Sequence, residues 1–229
     1  MITMKKSRVL FLALGFCFLI FKNSQAIAEN NPASLIQGSQ YILYIPSGIE
    51  ESKRYPLVLT LSPGGDAQGM IQTWKVAAEK FKWLILASKE SRNGIDMKQM
   101  AGKLVNLVQQ VSFSYPVEKD KVIASGFSGG GMLAHYLIMY YPKVFSAIVV
   151  NTCMISENYS SGKTYYYPRD KIAVFLASPA DFRYKQMISD RSMLKNFGWK
   201  TKWIEFIGGH AIAPDSKYVE AVEWLKEQL

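Results

Sequence analysis

The chain contains a glycine-rich stretch whose spacing suits a serine nucleophile. Residues 126–130 read Gly-Phe-Ser-Gly-Gly, the pattern G-x-S-x-G, in which the serine occupies a sharp turn between a strand and a helix. A side chain at Gly126 or Gly130 would collide with that strand and helix, and the turn requires unusual backbone angles. An apolar strand-like segment precedes the motif and an apolar helical segment follows it. The pattern therefore predicts that Ser128 attacks an electrophile.

The same stretch also permits a phosphate-binding interpretation. Residues 129–134 fit G-x-G-x-x-A, a dinucleotide fingerprint that requires an acidic residue about twenty positions later. Asn151 and Thr152 occupy that region instead. The fingerprint also belongs at the first strand of its domain, whereas other strands are predicted before this one. The nucleophile is favoured, with a dinucleotide loop and a purely structural corner as the two alternatives.

Two histidines are available as the base that a serine nucleophile requires. His135 lies seven residues after Ser128 on the same predicted helix, about 10 Å along the axis at 1.5 Å per residue, which is too far. We expect it to be a packed or capping residue. His210 follows the last predicted strand and two glycines, at the sheet edge where Ser128 lies. His210 is therefore the predicted base.

A carboxylate must orient the base, and Asp181 is the predicted partner. It comes soon after the apolar strand at 172–177, at the carboxyl edge of the predicted parallel sheet. The other acids considered precede that strand, lie in or begin helical segments, or rank second to Asp181: Asp170, Asp190, Asp215 and Glu157.

Backbone amides are predicted to stabilise the oxyanion that forms when serine attacks a carbonyl. One amide is expected from Gly129, the residue after the nucleophile. The second is expected from the loop Ser62-Pro63-Gly64-Gly65-Asp66, which follows the strand PLVLTL. Because proline has no amide hydrogen, Gly64 or Gly65 must supply this donor.

Strand and helix patterns alternate along residues 38–229, which predicts one α/β domain with a mostly parallel sheet and no large cap. The polar, tyrosine-rich segment between Asn151 and Lys171 suits either a short lid over the substrate or a solvated loop. The predicted strands are 41–45 (an edge strand), 56–61, 83–87, 121–125, 145–150, 172–177 and 202–207, and the predicted helices are 70–82, 99–113, 132–141 and 216–228.

Residues 1–28 are predicted to be a signal peptide. A basic segment ending at Arg8 precedes an apolar run at 9–21, and Ala26-Ile27-Ala28 suits signal peptidase. We therefore expect an exported domain at 29–229, periplasmic or secreted, without stable membrane insertion after cleavage. An uncleaved membrane anchor is the alternative.

Charge and cysteine content limit the partners of this domain. Removing residues 1–28 removes four cations and no acid, so the formal net charge falls from +9 to +5. No block of Lys and Arg indicates a nucleic-acid surface. Only Cys153 remains after cleavage, so the fold must be stable without an internal disulfide.

The motifs resemble those of the α/β-hydrolase superfamily. The chain is most similar to small secreted serine esterases of the polyhydroxybutyrate-depolymerase and feruloyl-esterase-like group, near the dienelactone hydrolases. The similar segments are YILYIP, PLVLTL, KVIASGFSGGGMLA, FLASPAD and GGH. The chain order Ser128, Asp181, His210 is also that of α/β-hydrolases.

The resemblance implies hydrolysis of a small-molecule or polymeric carboxylic ester through an acyl-serine intermediate, without a cofactor or metal. It also implies that Gly64 and Gly129 form the oxyanion hole. One departure is that Ser62-Pro63 stands where relatives commonly carry His-Gly. A catalytically inactive binding protein of the same fold therefore remains as an alternative. A serine peptidase is another, because related folds cleave peptides with the same triad.

Overall fold

The computed structural model describes residues 31–155 and 167–229. These residues form eight strands and five helices, which alternate over most of the chain. The strands are β1 (Ser34–Gln37), β2 (Tyr41–Ile45), β3 (Tyr55–Leu61), β4 (Leu84–Ser88), β5 (Val117–Phe127), β6 (Ala147–Asn151), β7 (Ile172–Ala177) and β8 (Lys200–Glu205). The helices are α1 (Ala67–Phe81), α2 (Met97–Ser114), α3 (Gly129–Tyr140), α4 (Tyr184–Asn196) and α5 (Asp215–Leu225).

All eight strands join one sheet in the order β1-β2-β4-β3-β5-β6-β7-β8. The pairs β1–β2 and β2–β4 are antiparallel. The pairs from β4 through β8 are parallel, so their carboxyl ends meet at one edge of the sheet. The predicted mostly parallel α/β fold is therefore confirmed.

Helices cover both faces of this sheet, which explains why its central strands are apolar on both sides. In β3, Leu57 and Leu59 pack in the core beneath α2, α3 and α4, whereas Val58 packs in the opposite core beneath α1 and α5. Trp74 of α1 meets Tyr218 of α5 at a ring-centroid distance of 4.9 Å. This two-sided burial fixes the strand ends that carry the site.

The prediction of an edge strand at 41–45 is wrong. That segment is β2, which lies between β1 and β4. On this side of the sheet the edge strand is β1. It is only four residues long and mostly exposed, so it lacks the buried alternation by which a strand is recognised in sequence.

Several predicted features lie outside the described residues: the signal peptide at 1–28, Glu157, and residues 156–166 of the tyrosine-rich segment. Within the described ranges, no helix is long and apolar enough to cross a membrane.

Candidate active site

Ser128 lies at a strained corner between β5 and α3. Its backbone angles are φ 53° and ψ −120°, a sparsely populated combination that surrounding structure must maintain. A Cβ on Gly126 would overlap the carbonyl group of Gly130, and a Cβ on Gly130 would overlap the carbonyl oxygen of Leu61. The two glycines let strand and helix approach closely enough to hold Ser128 in this conformation.

The structure brings Ser128, His210 and Asp181 into one hydrogen-bonded chain. His210 Nε2 lies 2.8 Å from Ser128 Oγ, and His210 Nδ1 lies 2.6 Å from Asp181 Oδ2. Asp181 is buried, whereas the imidazole is partly exposed. Because an ionised carboxylate only accepts hydrogen bonds, the imidazole proton lies on Nδ1 and leaves Nε2 free to accept the serine hydroxyl. The arrangement can remove a proton from Ser128.

Two polar side chains that the sequence motifs did not indicate anchor the His210 loop. Asn151, at the end of β6, accepts hydrogen bonds through Oδ1 from the Ala213 amide at 2.8 Å and the Tyr218 hydroxyl at 3.0 Å. The Ser178 hydroxyl donates to the carbonyl oxygen of Gly208. The available signal was position, because both residues stand at the carboxyl ends of parallel strands.

Ser62 organises the predicted oxyanion loop. Its Oγ accepts a hydrogen bond from the Asp66 amide at 2.6 Å and a long one from the Gly64 amide at 3.4 Å. The Asn93 amide donates to the carbonyl oxygen of Pro63 at 2.9 Å, and the Ser91 hydroxyl donates to that of Ser62 at 3.1 Å. The departure at Ser62-Pro63 therefore coincides with a well-anchored loop.

The three predicted oxyanion glycines occupy different backbone settings. Gly129 is the first residue of α3, where helix amides have no acceptor within the helix. Gly64 pairs with Arg92 in an isolated antiparallel bridge. The hydrogen bond of this bridge runs from the Asn93 amide to the Pro63 carbonyl oxygen, so the bridge does not use the Gly64 amide. Gly65 turns the chain at φ 75°. The Gly64 amide makes only the long contact to Ser62 Oγ, so the choice between Gly64 and Gly65 as the partner of Gly129 stays a prediction.

A cavity of about 230 Å³ adjoins the corner. Its wall includes Gly129 and Arg183 on the polar side, and Met100, Met132 and Leu133 on the apolar side. Its volume lies below the usual range for drug-sized ligands, about 300–1,000 Å³. The space suits a small apolar group.

Arg183, which no sequence motif indicated, contacts the candidate nucleophile. Its Nη1 donates a hydrogen bond to Ser128 Oγ at 3.1 Å. Its backbone amide donates to Asp181 Oδ1 at 2.7 Å, so one turn of chain places both the carboxylate and the guanidinium. The only sequence signal was its position two residues after Asp181.

The other residues considered as bases or acids lie elsewhere. His135 is buried, and neither ring nitrogen has a hydrogen-bond partner among the described residues; this burial lowers its pKa to about 3. Asp190 is buried and accepts a hydrogen bond from the Ile155 amide, and burial raises its pKa. Asp170 precedes β7 at the opposite edge of the sheet, and Asp215 begins α5. Among residues 31–155 and 167–229, no cluster of His, Cys, Asp and Glu could hold a metal ion.

Comparison with protein families gives one partial match. The phospholipase/carboxylesterase family matches residues 79–176, which is less than half of the chain. The matched range includes Ser128 and ends before Asp181 and His210. No curated protein matches the chain significantly.

Solved structures share the fold at low sequence identity. Fluorophosphonate-binding serine hydrolase F (FphF) of Staphylococcus aureus, substrate bound, has a TM-score of 0.67 and 12% identity over 85% of this chain and 99% of that one. Esterase 2 of Thermogutta terrifontis, phosphoramylated by tabun, has a TM-score of 0.62 and 18% identity over 85% and 94%. S-formylglutathione hydrolase (FrmB) of S. aureus has a TM-score of 0.61 and 12% identity over 85% and 95%.

These similarities agree with the order of the strands in the sheet. The chain therefore has the α/β-hydrolase fold.

Proposed function

We propose that this protein is a serine hydrolase that cleaves carboxylic esters through an acyl-Ser128 intermediate. The observation that carries the proposal is the chain from Ser128 through His210 to Asp181, with contacts of 2.8 and 2.6 Å at the carboxyl edge of the sheet. A hydroxyl held against a base, which is itself held by a buried carboxylate, is the arrangement required for acyl transfer. The partial match to carboxylesterases supports the ester as substrate.

In the acylation step, Ser128 Oγ forms a bond to the carbonyl carbon of the ester while His210 Nε2 takes the hydroxyl proton. The carbonyl π electrons move to oxygen, and Asp181 stabilises the imidazolium that results. When the tetrahedral intermediate collapses, the bond to the leaving alkoxy oxygen breaks. The proton on Nε2 passes to that oxygen, so an alcohol departs and acyl-Ser128 remains.

In the deacylation step, water replaces the alcohol. His210 accepts a proton from water as its oxygen bonds to the acyl carbon, and then returns that proton to Ser128 Oγ as the acid departs. The amides of Gly129 and Gly64 donate to the oxyanion in both steps. The anchored Ser62 loop holds the second donor in place before substrate arrives, which avoids reorganisation during the reaction.

The cavity beside Gly129 limits the acyl group. At about 230 Å³, it accommodates a short acyl chain against Met100, Met132 and Leu133, and a long chain would extend into solvent. We therefore expect short-chain esters to be the better substrates.

Export through the segment at 1–28 is part of the proposal, and mass spectrometry of the mature protein should find its amino terminus at Glu29.

A fluorophosphonate probe tests whether Ser128 is a nucleophile, since a structurally similar protein is named for binding such compounds. The folded protein should gain one adduct, located at Ser128 by peptide mapping, and Ser128→Ala should gain none. Ser125→Ala is the matched control, because Ser125 lies three residues earlier in β5 and its buried hydroxyl has no hydrogen-bond partner within residues 31–155 and 167–229. Absence of an adduct on the folded wild-type protein would refute the proposal.

A paired screen of short acyl esters and peptide amides separates the alternatives. Turnover of esters with little turnover of amides supports the proposal, and the reverse result identifies a peptidase. A protein that turns over neither substrate, and whose biological effect persists in Ser128→Ala, is a binding protein.

A further inference from the structure

We propose that Arg183 is a catalytic residue that orients the Ser128 hydroxyl and stabilises the negative charge developed during attack. The inference rests on the proposed function, because it assigns a role within that reaction. Its starting observation is the hydrogen bond of 3.1 Å from Arg183 Nη1 to Ser128 Oγ.

The contact orients the hydroxyl because a guanidinium group can only donate. Arginine stays protonated at all relevant pH values and has no acceptor atom. Once Nη1 donates to Ser128 Oγ, the hydroxyl proton must point elsewhere, and His210 Nε2 lies 2.8 Å away to accept it. Arg183 therefore selects the hydroxyl orientation in which proton transfer to His210 can begin.

The charge on Arg183 is not used by another carboxylate in the described part of the chain. Arg183 takes part in none of the ion pairs formed by residues 31–155 and 167–229, and its buried Nε has no hydrogen-bond partner there. Among the described residues, the Asp181 carboxylate accepts hydrogen bonds from the Arg183 backbone amide and the His210 ring. Holding a partly buried cation without an ion-pair partner costs solvation free energy, so its placement against the nucleophile calls for a functional explanation.

Attack on an ester creates the anion that this cation lacks. The new oxyanion forms on the carbon bonded to Ser128 Oγ, so it is two covalent bonds from the atom that Arg183 already contacts. In the proposed role, Arg183 Nη1 donates to that oxygen. Before attack, Asp181 and Arg183 sum to zero charge, and after attack the oxyanion and imidazolium add one charge of each sign. Arg183 thus acts beside the amides of Gly64 and Gly129 as a third, charged donor.

Neutral esters give the direct test, because they contain no anionic group that Arg183 could bind as substrate. Arg183→Met keeps the length of the side chain and the backbone bond to Asp181 but removes the charge. We expect kcat on p-nitrophenyl acetate to fall roughly 100-fold with little change in KM, the scale found when one oxyanion donor is removed. Arg183→Lys, which keeps the charge but loses the planar fork, should retain intermediate activity. Arg191→Met is the matched control on α4, since Arg191 contacts Thr201 and is not in the site.

Chemical rescue distinguishes catalysis from a structural role. Guanidinium ion at millimolar concentration should raise the kcat of Arg183→Ala several-fold and leave Arg191→Met unchanged. A variant that has merely misfolded will show an altered thermal transition and no rescue.

Three results would overturn the inference: an unchanged or higher kcat in Arg183→Met on neutral esters, a loss confined to esters bearing a carboxylate, or absence of rescue in Arg183→Ala with a wild-type thermal transition. The second result would make Arg183 a substrate anchor. Activity that survives in Ser128→Ala would instead refute the proposed function. If that variant is inactive while Arg183→Met is fully active, only the role of Arg183 fails.

Discussion

Replacing Asn151 by alanine should separate His210 from Ser128 without touching either residue. In the folded protein, Asn151 Oδ1 accepts hydrogen bonds from the Ala213 amide at 2.8 Å and the Tyr218 hydroxyl at 3.0 Å. All three residues are buried, so water cannot replace the lost acceptor. Each buried donor left without a partner costs about 1–3 kcal/mol. The free energy of unfolding should therefore fall by at least about 2 kcal/mol.

Activity should fall for a separate reason. The bond to Ala213 fixes the loop that carries His210, only three residues away. Without this bond, the loop can shift the His210 imidazole relative to Ser128 Oγ. A misplacement of about 1 Å can cost about 100-fold in rate. We expect a kcat loss of about 10-fold to 100-fold in Asn151→Ala, measured on a short ester under conditions where the variant is fully folded.

Tyr218→Phe is the matched comparison. It removes one of the two donors and keeps the ring against Trp74, so it should cost about 1 kcal/mol of stability and leave kcat nearly unchanged. Asn196→Ala, on the exposed end of α4, should change neither quantity. If Asn151→Ala loses stability but keeps wild-type kcat, the Asn151 contacts do not position His210 and the reasoning is wrong.

Three further predictions concern His135, Gly130 and Ser62. Because burial lowers the pKa of His135 to about 3, only the unfolded chain binds a proton there near pH 5, so stability falls as the pH drops below about 6.5. Urea titrations should show that the stability of wild-type protein, relative to His135→Leu, is lower by about 2 kcal/mol at pH 5 than at pH 8, and a constant difference would contradict this. Gly130→Ala places a Cβ against the carbonyl oxygen of Leu61, so probe labelling of Ser128 should slow severely, and labelling at the wild-type rate would show that the corner tolerates the methyl group. Ser62→Ala removes the acceptor of the Asp66 amide and should lower both stability, by about 1 kcal/mol, and kcat. Equal kcat values for the two proteins would show that the Ser62 hydroxyl does not support the oxyanion loop.

The sheet could be predicted because its central strands obey a strong rule. Buried parallel strands read as continuous apolar runs, and PLVLTL or IAVFLA leaves few alternatives. The edge strand β1 could not be predicted, because it is held by pairing to β2 and not by a buried face of its own. The order of strands in the sheet likewise depends on long-range pairing, which local periodicity does not encode.

The site was predictable where backbone chemistry restricts the residue type. Ser128 and its glycines form a recognisable pattern because only glycine fits those close approaches. Arg183 and Asn151 form no such pattern, since any long cation or short amide at a strand end looks the same in sequence. Asn151 entered the sequence argument only as the absence of an acid, whereas in the structure its side chain holds the His210 loop.

The single cysteine in the described residues lies beneath the serine corner. Cys153 is fully buried, burial raises the pKa of its thiol, and its Sγ would lie 2.5 Å from a Cβ placed on Gly131. A thiol reagent can therefore reach this sulfur only when the residues packed around it separate, and the first turn of α3 is among them. The rate of thiol modification in native buffer therefore reports local opening around Cys153, next to the catalytic corner, much as amide exchange reports local unfolding. The protein carries an internal reporter of how rigidly its nucleophile is held, and reading it requires no mutation.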